Sequence, residues 1–361
     1  MSRGARRVLV PLAGFAGLVV AVVVLPAFIS DFRAQQLAYV AIYLTAIIGL
    51  NILTGYTGQI SLGHGAFMAI GGYTSAILMS EGQRDVLPLL DSGVKDVWTI
   101  PVAALVAGVI GFLFGIPALR LSGLYLALAT FAIAVATPAV IKKFEDFTGG
   151  GSGINLFGSP ESTASITPVS ILGVELNFNN WLYVLCWFVA IVAYVVAWLL
   201  LRGRTGRALR AVRDSETAAV SSGVSLARYK TLAFGVSAAF AGAAGSLFAI
   251  ATTFVNPDTF PIALSINLLV GVVLGGLGSL VGLIAGAVLV FFLPIWSQDA
   301  SKIIPDWLPF VGDLNTSSPG APAVVFGVVL ILLMFVLPTG FAGLLRRLGS
   351  LTTRGYHRSQ S

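Results

Sequence analysis

The densest set of hydrogen-bonding side chains in this sequence lies in the run NILTGYTGQISLGHGAFMAIGGY, residues 51–73. Thr54, Thr57, Gln59, Ser61 and His64 alternate there with Gly55, Gly58, Gly63 and Gly65, and no charged residue joins them. Such groups can exchange hydrogen bonds with a neutral or zwitterionic solute. They include no nucleophile with its base and no paired carboxylates, so they do not point to covalent chemistry. His64 by itself reads more readily as a hydrogen-bonded structural residue than as a ligand or proton relay. A second run, FTGGGSGINLFG at 147–158, brings Gly149, Gly150, Gly151 and Gly153 together. Tight backbone there could turn N–H groups toward a carboxylate or other anion, or the run is a flexible loop.

A third stretch, RGRTGRALRAVRDSETAAVSSGVSLARYK at 202–230, holds seven of the 21 basic residues. Residues 207–220 read as one Ala-, Leu- and Arg-rich helix ending before Gly223, which suits a helix C-terminus. Its apolar and basic faces fit a membrane surface or a partner's groove. The chain has no G-x-x-x-x-G-K-[ST] phosphate loop, so ATP hydrolysis is not its own work. Its single cysteine, Cys186, excludes an internal disulfide or a cysteine-based metal cluster. Gly275, Gly276, Gly278 and Gly282 follow an apolar helical pattern rather than a strand, so they are not a dinucleotide-binding turn.

The elements that must position these residues are membrane helices. Hydrophobic residues make up 57% of the chain and charged ones 10%, against roughly 25% charged in soluble domains. Apolar runs predict spans at 8–29, 36–53, 64–80, 98–119, 121–141, 181–201, 231–250, 263–281, 282–296 and 323–344. The first follows Arg3, Arg6 and Arg7, and its length favours a retained helix over a cleaved signal peptide. The Gly-rich stretch 262–296 reads as two spans or as one span plus a re-entrant segment. The fold class expected is an all-α polytopic membrane protein of about ten transmembrane helices, one domain over 1–361 with a cytoplasmic loop at 202–230.

Alternate loops then sort the charges. Fifteen of 21 basic residues fall on the side of the amino terminus, and 13 of 15 acidic residues on the other. This is the positive-inside pattern, with both termini cytoplasmic, so the net charge of +6 is topology and gives nucleic-acid binding no support. No span interior carries Asp, Glu, Lys or Arg, which disfavours a carboxylate proton relay. Ten spans divide as 5+5 into an inverted repeat, with span 3 matching span 8, and paired interruptions at matching places point to a midplane pathway. Gly271, Gly275, Gly278, Gly282 and Gly286 recur at three- and four-residue steps, as do Ser237, Ala241, Gly245 and Ala249. Small residues at that spacing let helices pack closely, and helices so packed can also line a path and shift against each other.

Four stretches, LTGYTGQISLGHGAF at 53–67, TGGGSGI at 148–154, GRALRAVRDSETAAVSSGVSLARYKTLAF at 206–234 and VVLGGLGSLVG at 272–282, together with the ending LPTGFAGLL, resemble the branched-chain amino acid permeases of ABC importers, of the LivM type. The resemblance implies a permease of the bacterial inner membrane that moves Leu, Ile or Val. It would work with a second homologous permease, two ATPase subunits that hold ATP and Mg, and a periplasmic or lipid-anchored binding protein. The chain itself would be no enzyme and would carry no cofactor or metal. The resemblance implies that Gly206, Arg207, Arg210, Arg213, Glu216, Ala218, Ala219 and Gly223 couple to the ATPase. Thr57, Gln59, Ser61 and His64, with Gly149, Gly150 and Gly153, are the expected substrate pathway. Gly65 stands where the family often has Ala, and Ser152 where Asn or Asp is common. Related permeases carry urea or short amides, and an ATP-independent secondary transporter is the alternative outside the family.

Overall fold

The computed structural model describes residues 29–79, 95–121, 123–156, 169–171, 174–301 and 321–344. The expected span at 8–29, but for its last residue, lies outside the described residues. Helix α1, Asp31–Thr57, ends where Gly58 takes left-handed backbone (φ +73°) and its N–H reaches the Leu53 carbonyl. The chain continues through α2, His64–Met79, α3, Lys95–Ala118, α4, Leu124–Lys143, and one turn, α5, Glu145–Thr148. After α6, Phe178–Arg202, come the short helices α7, Arg204–Asp214, and α8, Glu216–Ser221. Helix α9, Leu226–Thr252, then leads to α10, Ile262–Gly275, α11, Gly282–Ser301, and α12, Ala321–Val336. Strand β1, Ile154–Asn155, pairs with β4, Phe254–Val255, and β2, Val169–Ile171, pairs with β3, Val174–Leu176, both antiparallel.

Seven helical segments among the described residues are long and apolar enough to cross a membrane. Helices α1 and α9 are buried along most of their length, and α9 packs against α1, α2 and α3. Helices α3, α4, α6 and α12 instead turn large apolar side chains outward, among them Leu105, Leu124, Phe188 and Phe335. An exposed apolar face on a helix of that length suits lipid.

The inner helices meet through small residues, because lipid supplies no hydrophobic drive for helix association and close backbone contact must replace it. A Cβ placed on Gly245 of α9 would collide with the Met68 carbonyl of α2, and one on Gly71 would collide with Gly242. Gly235 faces Gly108 of α3. Gly271 lies opposite Gly286, and Gly275 opposite Gly282, so α10 and α11 form a close antiparallel pair.

The expected span 263–281 is shorter than its apolar run implied. Helix α10 stops at Gly275 because Gly276 (φ +106°) and Gly278 (φ +77°) take left-handed backbone. Its 14 residues reach only about 21 Å at the helical rise, and with the turn Pro257–Thr259 before them they make the 19-residue segment Pro257–Gly275, one of the seven long and apolar enough to cross. The single helix expected over 207–220 is also two helices. Ser215 sits in extended backbone between α7 and α8, and its Oγ accepts from the Ala218 N–H at 3.3 Å.

Candidate functional site

The polar run of residues 51–73 folds as a helix end, a non-helical segment and a second helix start. Thr54 Oγ1 donates to the Gln59 carbonyl at 3.1 Å, and the Gln59 N–H donates to Leu53 at 3.3 Å. The Thr57 hydroxyl faces the Leu53 carbonyl and Gln59 Oε1. Residues 58–63 then run back beside α1 rather than away from it. His64 Nε2 donates to the Ala46 carbonyl at 2.9 Å, a level about 16 Å back along α1 from Thr57 at the helical rise. The Leu62 N–H donates to Thr130 Oγ1 of α4 at 2.9 Å, and the Gly65 N–H to Ser265 Oγ in the first turn of α10 at 2.9 Å.

Thr57, Gln59, Ser61 and His64 are all buried; the side chains of Thr57, Ser61 and His64 hold backbone, and the Gln59 Oε1 meets the Thr57 hydroxyl. The Ser61 Oγ receives the Gly63 N–H. Irregular backbone at this depth is tolerated because protein surrounds it. One side of the segment is different: Gly58 is exposed and Ile60 is 48% exposed. Sequence reasoning did not single out Thr130, Ser265 or Ile60; only the polar type of the first two, inside apolar helices, was a signal.

A second junction lies at the same, carboxyl-terminal end of α1. Asn51 Oδ1 accepts the Gly278 N–H at 2.9 Å, and Arg213 of α7 donates to the Gly55 carbonyl. The turn after α10, the last turns of α1 and the basic segment therefore meet at one place. Gly278 belongs to that turn rather than to the helix-packing row of Gly271, Gly275 and Gly282.

Within the basic segment, Gly206 packs under the Leu201 backbone, and Arg210 donates to the carbonyls of Gly206 (3.1 Å) and Leu201 (3.3 Å). Arg210 and Arg213 are thus tied to this chain's own carbonyls. Arg207, Glu216, Ala218, Val220 and Gly223 face outward, while Ala219 is buried. Gly223 takes φ +81°, and a Cβ there would meet nothing within 4 Å. Lys230, in the second turn of α9, is buried and pairs with Glu216 Oε1 at 2.7 Å. A basic residue just inside a membrane helix was the signal for it.

The Gly-rich run of residues 147–158 is compact as far as it is described. The Thr148 hydroxyl faces the Ile141 (2.7 Å) and Phe144 (2.8 Å) carbonyls. The N–H groups of Gly149, Gly150 and Ser152 are taken by Glu145, Thr148 and Gly149. Gly153 (φ +72°) fits against the Val255 carbonyl, and β1 pairs with β4 beside it. Lys142 and Asp258 add an exposed ion pair at 3.3 Å. Three of the N–H groups an anion would need are engaged internally.

Among the described residues no group of His, Cys, Asp or Glu is placed to hold a metal.

A family profile described as branched-chain amino acid transport system, permease component, matches residues 32–337. The chain is 36% identical over 287 residues to the high-affinity branched-chain amino acid transport system permease protein LivM of Salmonella typhimurium, covering 75% of this chain and 65% of that protein. The LivM of Escherichia coli is 35% identical over the same length, with the same coverage. The corresponding permease protein LivH of Salmonella typhimurium is 24% identical over 311 residues, covering 83% of this chain and 91% of that protein. The chain thus spans just under two thirds of the length of these two LivM proteins. No solved structure gives a significant match.

Proposed function

Because the chain belongs to the branched-chain amino acid transport system permease family, and so is a multi-pass membrane permease, we propose that it is the LivM-type subunit of an ABC importer for Leu, Ile and Val. It sits in the bacterial inner membrane as one domain of ten spans with both termini cytoplasmic. It is no enzyme and binds no cofactor; two ATPase subunits supply ATP and Mg. A second permease of LivH kind completes the path, and a periplasmic or lipid-anchored protein delivers the solute.

The observation that carries this reading is the 58–63 segment. Uncharged, irregular backbone lies deep between α1, α4 and α10, with one face open at Gly58 and Ile60. Such a segment suits a net-neutral zwitterion passed on without tight binding, and it sits beside the helices that the basic segment contacts. A 5+5 inverted repeat is supported by the helix order. Helices α1 and α9 are 27 residues each, and each leads through an irregular stretch to a short helix of 16 or 14 residues. Helix α9 packs on α2 and α3 as α1 packs on α10 and α11.

The test is uptake of labelled Leu, Ile and Val into proteoliposomes holding this chain with the second permease, both ATPases and the binding protein. Uptake is expected only with ATP inside and all components present. Gradient-driven uptake by this chain alone would identify a secondary transporter. Competition by urea or short amides, with none by Leu, would move it to the related amide permeases.

A further inference from the structure

We propose that Lys230 and Glu216 form a strut that carries movement of the docking segment into α9. This rests on the ABC permease reading and adds to it a buried residue, Lys230. Lys230 Nζ lies 2.7 Å from Glu216 Oε1, with the lysine side chain 6% exposed and the glutamate 49%. The lysine stands near the N-terminus of α9, where the helix dipole disfavours a cation, and in a buried place where an unpaired ammonium is costly. Glu216 answers both, since at the first position of α8 it is itself favoured by that helix's dipole.

The pair spans the turn between the docking helices and the central helix. Between them the chain turns at Ser222 and Gly223, closed by the Val224 N–H donating to the Ala219 carbonyl at 2.9 Å, and a Cβ on Gly223 (φ +81°) would meet nothing within 4 Å. Without a cross-tie, displacement of α8 would be absorbed in that turn. With it, α8 and the start of α9 move together, and α9 is the helix packed against α1, α2 and α3. Arg213, bonded to the Gly55 carbonyl, makes the parallel tie from α7 to α1. Lys230 is therefore a positioning residue for coupling rather than a docking contact.

The experiment uses the complete reconstituted transporter and measures ATPase co-purification, ATP hydrolysis and uptake per ATP. Lys230→Met is expected to assemble and hydrolyse ATP while uptake per ATP falls about tenfold. Exchanging the charges, Glu216→Lys with Lys230→Glu, is expected to restore most of the coupling. Where Lys230→Met does not fold, Lys230→Arg and the exchange decide. Wild-type coupling in Lys230→Met overturns the strut. So does an assembled exchange variant that stays uncoupled, or one that loses the ATPases, which would make Glu216 a direct docking contact. If wild type shows no ATP-driven uptake, the permease reading fails instead.

Discussion

A methyl group on Gly245 has no space, whereas one on Gly223 has nothing near it. The two glycines therefore predict opposite behaviour. Gly245→Val forces α9 off the Met68 carbonyl, and overpacking of this kind costs about 1–3 kcal/mol; thermal unfolding in detergent should show a clear fall in Tm. Gly223→Ala carries only the cost of left-handed backbone, about 1 kcal/mol, and should leave the fold intact. Gly223→Trp should fold as Gly223→Ala does yet lose ATPase attachment on co-purification, because its side chain projects into the open space beside the proposed docking surface. At the polar run, Gln59→Ala and His64→Ala remove buried hydrogen bonds worth about 1 kcal/mol each. Both should lower Tm and reduce uptake of Leu, Ile and Val in the same proportion, as measured by competition. A changed order of preference would make either residue a substrate contact. The sequence shows these residues as polar exceptions, but it does not show their partners. Ala46 and Thr130 lie at a distance along the chain from His64 and Leu62, and Ser265 is 200 residues from Gly65.

At the scale of elements, hydropathy places the helices well because each needs an apolar run long enough for lipid. It misplaces ends set by backbone conformation: α10 stops at Gly275 inside an apolar run, and α7 parts from α8 at Ser215 inside an amphipathic one. It also sees only one half of each small-residue contact. Gly271 and Gly275 could be paired with Gly286 and Gly282 only once the chain was seen to turn between them, and Gly71 meets Gly242 from a helix far away in sequence. The irregular segment 58–63 yields a test of which side is open. Cys186, the single native cysteine, is fully buried, so introduced thiols can be read against low background. Ile60→Cys should react with a water-soluble maleimide, and Ser61→Cys, 1% exposed as serine, should not. Reaction of Ile60→Cys only with a lipid-phase reagent would place that face against lipid and take it out of the path.

For the whole molecule, charge and packing set the same two ends apart from different residues. Fifteen of 21 basic residues fall on one side of the expected topology and 13 of 15 acidic ones on the other, and a membrane potential sorts basic loops in this way. The structure adds that the basic segment lies against the far ends of α1 and α10, beyond Asn51 and Gly278, whereas the Gly-rich loop closes against β4 at the opposite end of α9. Helix α9, 27 residues long, separates the two by about 40 Å at the helical rise, enough to cross the bilayer and its headgroups. Gly151, exposed and with room for a side chain, and Ser222, exposed beside Gly223, are the places to ask. In intact cells an impermeant maleimide should label Gly151→Cys at once and Ser222→Cys only after the membrane is opened. Inverted vesicles should reverse the order. Labelling of both from one side would leave α9 unable to span, and with it would go the ten-span order, the inverted repeat and any route by which an ATPase inside the cell could move a path open to the outside.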